Sequence, residues 1–440
     1  MSANKSTLIN VLKSEIVKYS SLGNLKKFYV SHPECGGLSE NSFTRNRLLP
    51  LQDLLPLLLY PRAKSTDIEL LEFSHLIGKG NVNKSDFSKR RRLVPADYLK
   101  SLHLDMVSDM YSGQDVLKWH GHILLAADGT TYSLPGTPSV KELFLQGRKT
   151  GLGEQALARG VVVKDAFNDV VVASNMECYG RDEIALLIDE LNELPDIVAS
   201  MSPVFLLDRK YCAYTLLAAL MQKYFGFIIR VKERFNADVD AFMASGKTEQ
   251  EITLVPGSTT VKKLKRLYGA DVSCTFPVRL VRLSDNIVVM TSVRKVSLLE
   301  GDTDVYHLRW DDETTIGFLK NNLQVEIFSS STINSMRQDF YAKTILYNII
   351  SVLCHQAAGL RHDQKPRRIN RNVALGILKI NFIIFIVKDC CKFNAFLHKV
   401  LNEMARFTTP IKPGRHNPRV FRNTKHSGKY ITLHNYREAI

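Results

Sequence analysis

His122-Ile-Leu-Leu-Ala-Ala-Asp128-Gly129 is the stretch on which the fold turns. A short apolar run ends in an acid and a glycine, the pattern of a buried strand opening into a turn. Two more strand-like runs follow, Gly160-Val-Val-Val-Lys164 and Val170-Val-Val-Ala-Ser174. Between them Asp165-Ala-Phe-Asn-Asp169 is short enough for a hairpin loop, and its two acids read as turn residues. Gly180 to Leu194 carries Ile184, Leu187, Ile188 and Leu191 at three- and four-residue spacing, which predicts an amphipathic helix. Glu183, early in that helix, reads as an acid favoured by the helix dipole. Val204-Phe-Leu-Leu-Asp208 then repeats the strand-and-acid pattern. Tyr214 to Tyr224 suits a helix, and Gly226-Phe-Ile-Ile-Arg-Val231 a further strand.

Three strands, a helix, a strand and a helix follow the order of a ribonuclease-H-like α/β core, in which an antiparallel meander precedes parallel strands with crossover helices. Working outward, residues 1–118 read as mostly helical. Residues 119–231 form the first part of the core. Residues 232–304 read as a mostly β insertion with poor helical periodicity and many cations, Lys262, Lys263, Lys265, Arg266, Arg279, Arg282, Arg294 and Lys295 among them. Residues 305–370 return to the core with an acid-bearing helix, and 371–440 read as a helical segment and a basic, Pro- and Gly-rich tail. Pro50 and Pro56 argue against one unbroken helix through the leucine-rich stretch Leu48–Leu59.

The 440 residues are 45% apolar and 23% charged, ordinary globular material that needs no disulfide staples. The 59 Lys and Arg exceed the 44 Asp and Glu by 15, which points to a polyanionic partner. MSANKSTLINVLKSEI lacks the apolar core of a signal peptide, so a cytoplasmic location is expected. The most apolar run, Ile380–Val387, is far shorter than the ~20 residues that cross a bilayer, and no membrane partner is expected. Seven scattered Cys with no CxxC pair argue for free thiols over a metal–thiolate site, and the twelve His show no HExxH spacing. The run Lys89-Arg90-Arg91-Arg92 reads equally as a solvated face or as phosphate contacts.

Tyr306-His-Leu-Arg309-Trp-Asp-Asp-Glu313, continued to Lys320, carries the chemistry. On a helix, with Tyr306 at zero, Arg309 falls at about 300°, Glu313 at about 340° and Lys320 at about 320°. The neighbouring Asp312, at about 240°, lies off that arc, so Glu313 is the favoured acid. Taken alone, the pattern is a common Arg309–Glu313 pair on an exposed helix face. Joined to the strand-end acids Asp128 and Asp208, it offers three carboxylates that can hold two Mg²⁺ ions for in-line phosphoryl displacement.

Tyr306, Arg309, Glu313 and Lys320 match without a gap the Tyr-Arg-Glu-Lys signature of bacterial insertion-sequence transposases with an Asp-Asp-Glu active site. Asp128-Gly-Thr-Thr resembles the segment around the first catalytic acid of that family, and Leu207-Asp208-Arg209 the second. Arg337-Gln-Asp-Phe-Tyr-Ala-Lys343 with Asn348 is similar to its C-terminal helix, and Ile411-Lys-Pro-Gly-Arg415 to its basic ending. The resemblance implies a ribonuclease-H-like catalytic core interrupted by a β insertion between Asp208 and Glu313. It implies cut-and-paste movement of a mobile element by hydrolysis at element ends, hairpin formation and opening, and strand transfer. Asp128, Asp208 and Glu313 would be catalytic and would ligate two Mg²⁺ ions, with Mn²⁺ able to substitute. Tyr306, Arg309 and Lys320 would touch DNA near the cut. Arg90, Arg91 and Arg92, in a DNA-binding N-terminal region, and Lys412 and Arg415 in the tail would bind phosphates. The partners implied are double-stranded DNA, as terminal inverted repeats and as target, and a second copy of the chain. Members often press an aromatic ring of the insertion against a flipped base. No Trp lies there, which leaves Tyr268, Phe242 or Phe276. A nuclease that cuts without joining, or a DNA-binding relative without catalysis, are the competing readings.

Overall fold

The structure, a computed structural model, describes residues 5–38, 42–43, 49–60, 65–113, 116–146, 155–294, 296, 298, 305–361, 367–386 and 393–411. Lys412, Arg415 and the rest of the expected basic tail, and Lys295, lie outside the described residues.

Six helices open the chain: α1 (Lys5–Tyr19), α2 (Leu22–Ser31), α3 (Leu51–Leu59), α4 (Thr66–Ile77), α5 (Lys84–Arg91) and α6 (Ala96–Ser112). Apolar residues about one turn apart bury one face of most of them; in α1 these are Leu8, Leu12 and Ile16, while α5 buries Phe87 with Arg90 and Arg91. Pro50 stands at the N-cap of α3, where its missing N–H costs nothing, and Pro56 is accommodated inside that helix.

The middle of the chain builds one nine-stranded sheet. Its elements are β1 (Leu124–Ser133), α7 (Pro138–Leu145), β2 (Leu157–Asp165), β3 (Val170–Ser174), β4 (Glu177–Cys178), α8 (Glu183–Glu193), α9 (Asp196–Ala199), β5 (Val204–Leu207), α10 (Tyr214–Gln222), β6 (Gly226–Arg230), α11 (Ala237–Ala244), β7 (Glu249–Leu254), α12 (Ser258–Tyr268), β8 (Phe276–Ser284) and β9 (Ile287–Thr291). The strand order is β3-β2-β1-β5-β6-β9-β8-β7, with β4 beside β2. The β1/β5 and β5/β6 pairs are parallel; β1/β2, β2/β3 and the β6-β9-β8-β7 run are antiparallel.

Three expectations are corrected here. β1 does not turn at Asp128-Gly129 but runs on to Ser133, because β2 keeps pairing with it, Asp128 opposite Val162 and Gly129 opposite Val161. Gly129 allows a close approach: a Cβ there would lie 2.0 Å from the carboxyl carbon of Glu183, which would have to move aside. Residues 232–294 are not mostly β, since α11 and α12 stand among the strands, and those strands extend the central sheet through β6 and β9. Tyr306–Arg309 is a 3₁₀ turn ahead of α13 (Trp310–Asn321), so one helical wheel does not run through the whole signature.

The chain closes on α14 (Ile333–Ala358), β10 (Arg367–Ile369), α15 (Arg371–Ile386), α16 (Phe393–Ala405) and β11 (Thr408–Pro410), β10 pairing with β11. α14 is buried along almost its whole length. Its polar side chains each hold a neighbouring element. Asp339 pairs with Arg91 of α5 and accepts from Ser329. Lys343 donates to the carbonyls of Gln324 and Ile327 in the loop after α13. Asn348 accepts from the Val171 amide of β3. No helix among the described residues is long and apolar enough to cross a membrane.

Candidate active site

Strand parity brings the first two acids together. In the parallel β1/β5 pair, Leu124, Leu125 and Ala126 lie beside Val204, Phe205 and Leu206, so the same register carried forward sets Asp128 level with Asp208. Leu124, Ala126, Val204 and Leu206 share one small apolar cluster with Val305 and Tyr306. Asp128 and Asp208 continue that even-numbered face beyond the apolar residues, where the sheet opens to solvent. Asp208 also caps the 3₁₀ turn after β5, its Oδ1 accepting from the Lys210 amide at 2.7 Å.

The turn before α13 covers this face and delivers Arg309 to it. Arg309 is 8% exposed; its guanidinium lies 3.9 Å from Asp128 Oδ2 and donates to Glu313 Oε1 at 3.3 Å. Asp128, Asp208, Arg309 and Glu313 border one open cleft of about 380 Å³. Burial pushes the Asp128 carboxyl up to about 6. Arg309 and the Gly129 amide oppose that shift, while Asp208 and Glu313 reinforce it. Among the described residues no three His, Cys, Asp or Glu side chains are gathered tightly enough to hold a metal ion as they stand. The acids border the cleft from three elements, with Arg309 between two of them.

The remaining signature residues sit differently from the helical-wheel expectation. Tyr306 is buried, lines the cleft with its ring and donates from its hydroxyl to the Leu207 carbonyl at 3.2 Å, one residue before Asp208. Burial pushes its phenol up to about 12. Lys320 is not among the residues that line the cleft. It donates to the Thr131 carbonyl of β1 and lies over the Tyr132 ring, tying the Glu313 helix to the Asp128 strand.

Arg90 and Arg91 are corrected as phosphate contacts. Arg91 is 1% exposed and donates to Gln338, Ser329, Asp339 and the Ser335 carbonyl. Arg90 is buried over the Phe43 ring. Arg91, with its donors engaged inside the protein, has none to offer a backbone phosphate, and burial withholds Arg90 from one. Arg92 is exposed. Phe242 and Phe276 are core residues, and Tyr268 is half-buried with its hydroxyl on the Thr215 carbonyl. Among the described residues two exposed rings line the cleft, Trp310 and His307, set edge-on to each other.

Sequence reasoning missed several neighbours. Arg230 also lines the cleft, fixed by the Asn286 carbonyl between β8 and β9, beside Arg209, which the sequence placed next to Asp208 without giving it a role. Glu183, read only as a helix-dipole acid, is 6% exposed, packs on Gly129 and pairs with Lys210. The glycine directly after Asp128 was its only signal.

Residues 119–349 match the family described as Transposase DDE domain. No curated protein matches the chain. A cryo-EM structure of the piggyBac transposase synaptic complex with hairpin DNA aligns with 94% of this chain and 86% of that one, at 11% identity and a TM-score of 0.44. With a family match that spans more than half of its residues and takes in both strand acids, Arg309 and Glu313, the chain belongs to the DDE-domain transposases.

Proposed function

We propose that the chain is a cut-and-paste transposase of the bacterial Tyr-Arg-Glu-Lys insertion-sequence group, built on a ribonuclease-H-like core, with Asp128, Asp208 and Glu313 as its catalytic acids. The observation that carries this reading is the meeting of two level strand acids, an acid-bearing helix and a bridging arginine at one open cleft.

The donor chemistry fits hard divalent cations. The cleft offers carboxylate oxygens, and the raised Asp128 carboxyl reflects chiefly its burial, with Asp208 and Glu313 adding to it. Asp128, Asp208 and Glu313 would hold two Mg²⁺, or Mn²⁺ in their place, and such a pair when bound supplies Lewis-acid stabilisation of the attacking and leaving oxygens. The protein's own residues do the rest. Arg309 balances Asp128 and Glu313 and holds them apart. Tyr306 anchors the 3₁₀ turn to the end of β5 and so fixes Arg309 over the sheet. Arg209 and Arg230 offer cationic walls along which a DNA backbone can lie. Lys320 acts as a strut between β1 and α13, not as a direct DNA contact.

In this reading one cleft serves hydrolysis at each element end, hairpin formation and opening, and joining to target DNA. The active form is a dimer on paired terminal inverted repeats, working in the bacterial cytoplasm on nucleoid DNA. Joining is the step that separates a transposase from a nuclease. Incubated with Mg²⁺, a precut duplex copied from the DNA flanking the coding sequence and a supercoiled target plasmid, the protein should yield covalently joined products. Cutting of uncut ends with no joining of precut ones would leave a nuclease.

A further inference from the structure

Behind the Glu313 helix lies a largely enclosed ionic network that the cleft does not use, with Lys164 buried and Asp169 and Arg371 half-buried. Asp169, in the β2–β3 turn with a left-handed φ of 56°, pairs with Lys164 at 2.8 Å and with Arg371 at the start of α15. The Tyr347 hydroxyl of α14 donates to Asp169 Oδ1 at 2.9 Å and accepts from Arg371 Nη1 at 3.0 Å. That same hydroxyl stands 3.0 Å from Thr315 Oγ1, at hydrogen-bond distance. Arg371 also lies 5.4 Å from the Phe318 ring centroid, and Phe318 meets Tyr347 edge-on at 5.9 Å.

Thr315 and Phe318 belong to α13, and both are buried. Thr315 follows Glu313 by two positions, about 200° around the helix. The network therefore grips the back of the helix whose front carries Glu313. A buried lysine with a half-buried aspartate and arginine is a costly way to fill this space, because apolar side chains of similar volume serve stability as well or better. What such a network supplies is direction: each hydrogen bond holds α13 at one rotation and one depth. A carboxylate that must meet a reacting centre tolerates misplacement of only about 0.5 Å.

We propose that Asp169, Tyr347 and Arg371 are positioning residues for the reaction, acting through Thr315 and Phe318 to fix how α13 presents Glu313 to the cleft. This rests on the reading of Glu313 as a catalytic acid. Thr315→Val and Tyr347→Phe remove single hydroxyls at nearly constant volume, and Arg371→Lys keeps the charge.

The test is single-turnover nicking of a supercoiled plasmid that carries the coding sequence with its flanking DNA, over a Mg²⁺ titration, alongside DNA affinity and thermal unfolding of the full chain. Tyr347→Phe should cut about tenfold more slowly at saturating DNA and should need several-fold more Mg²⁺ for half its maximal rate. Its DNA affinity should stay within twofold of wild type. Thr315→Val should show the same direction, the double variant should lose little more than Tyr347→Phe alone, and Arg371→Lys should keep more activity than Arg371→Gln. Unchanged rate and Mg²⁺ dependence in both hydroxyl variants would overturn the proposal. So would a rate loss that tracks lost DNA affinity or lost folded fraction at unaltered Mg²⁺ dependence. Glu313→Gln run in parallel separates the two readings. If it cuts like wild type, the catalytic acids are misassigned. If it is inactive while the hydroxyl variants are normal, only the positioning role fails.

Discussion

Arg309 decides the electrostatic balance of the cleft. Its fork reaches two carboxylates from two elements, a geometry that the single ammonium of lysine does not reproduce. A charge-assisted bond of this kind contributes about 1.5–3 kcal/mol, so Arg309→Lys should lower the rate of strand cutting about 10- to 100-fold while the protein stays folded. Cutting at the wild-type rate would remove Arg309 from the site. Gly129 makes a second residue-scale prediction. Gly129→Ala forces a methyl into the Glu183 carboxyl and should cost about 1–3 kcal/mol in urea unfolding, and Glu183→Ala in the same chain should recover most of that loss. A harmless Gly129→Ala would mean that the contact is not tight. At this scale the sequence named the three acids that border the cleft, from the strand-end pattern and the signature spacing. Arg230 and Glu183 were not legible, since a side chain joins a site from a distant element only once the register is known.

Among the elements, α14 organises its surroundings through its buried polar side chains. The Arg91–Asp339 pair locks α5 to the loop that follows α13. Arg91→Ala leaves a buried carboxylate without its partner and should destabilise the fold by about 3–5 kcal/mol, whereas Arg92→Ala should leave unfolding unchanged. Paired urea melts check both. His103 of α6 is also fully enclosed, its Nε2 2.9 Å from the Val171 carbonyl. Burial pulls its pKa down to about 4 from 6.5. Above pH 6.5 the ring is neutral folded and unfolded. Between 6.5 and about 4 the unfolded chain takes a proton that the folded one refuses, so this residue's contribution falls as pH falls, by about 2 kcal/mol at pH 5. His103→Gln should lose correspondingly less stability between pH 7.5 and pH 5 than wild type does. The basic run at 89–92 misled because charge alone does not tell a solvated arginine from one turned inward. α12 was missed for a related reason. Val261, Leu264 and Tyr268 mark one thin stripe in an otherwise polar, cationic helix, of which only Leu264 is fully buried.

For the whole molecule, the excess of 15 positive charges sets how DNA is met. Lys262, Lys263, Lys265 and Arg266 are all exposed on α12. If they lie along a DNA backbone, exchanging all four for Ala should flatten the salt dependence of binding, each lost phosphate contact removing about 0.9 from the log–log slope. An unaltered slope would leave α12 off the DNA path. Much of the strand and helix order from residue 122 to 231 was legible because apolar runs of strand length alternate with amphipathic spacing, but α7 between β1 and β2 was not. That the later strands extend the same sheet was not, because β6 pairs with β9 across an interval that no local pattern spans. The central claim, that Asp128, Asp208 and Glu313 act as one catalytic set, is tested most directly by comparing wild type with Glu313→Gln in Mg²⁺-dependent cleavage of the element's own flanking DNA, with binding measured alongside. The claim predicts that Glu313→Gln binds the DNA as wild type does and does not cut it. Equal cutting by both proteins would contradict it.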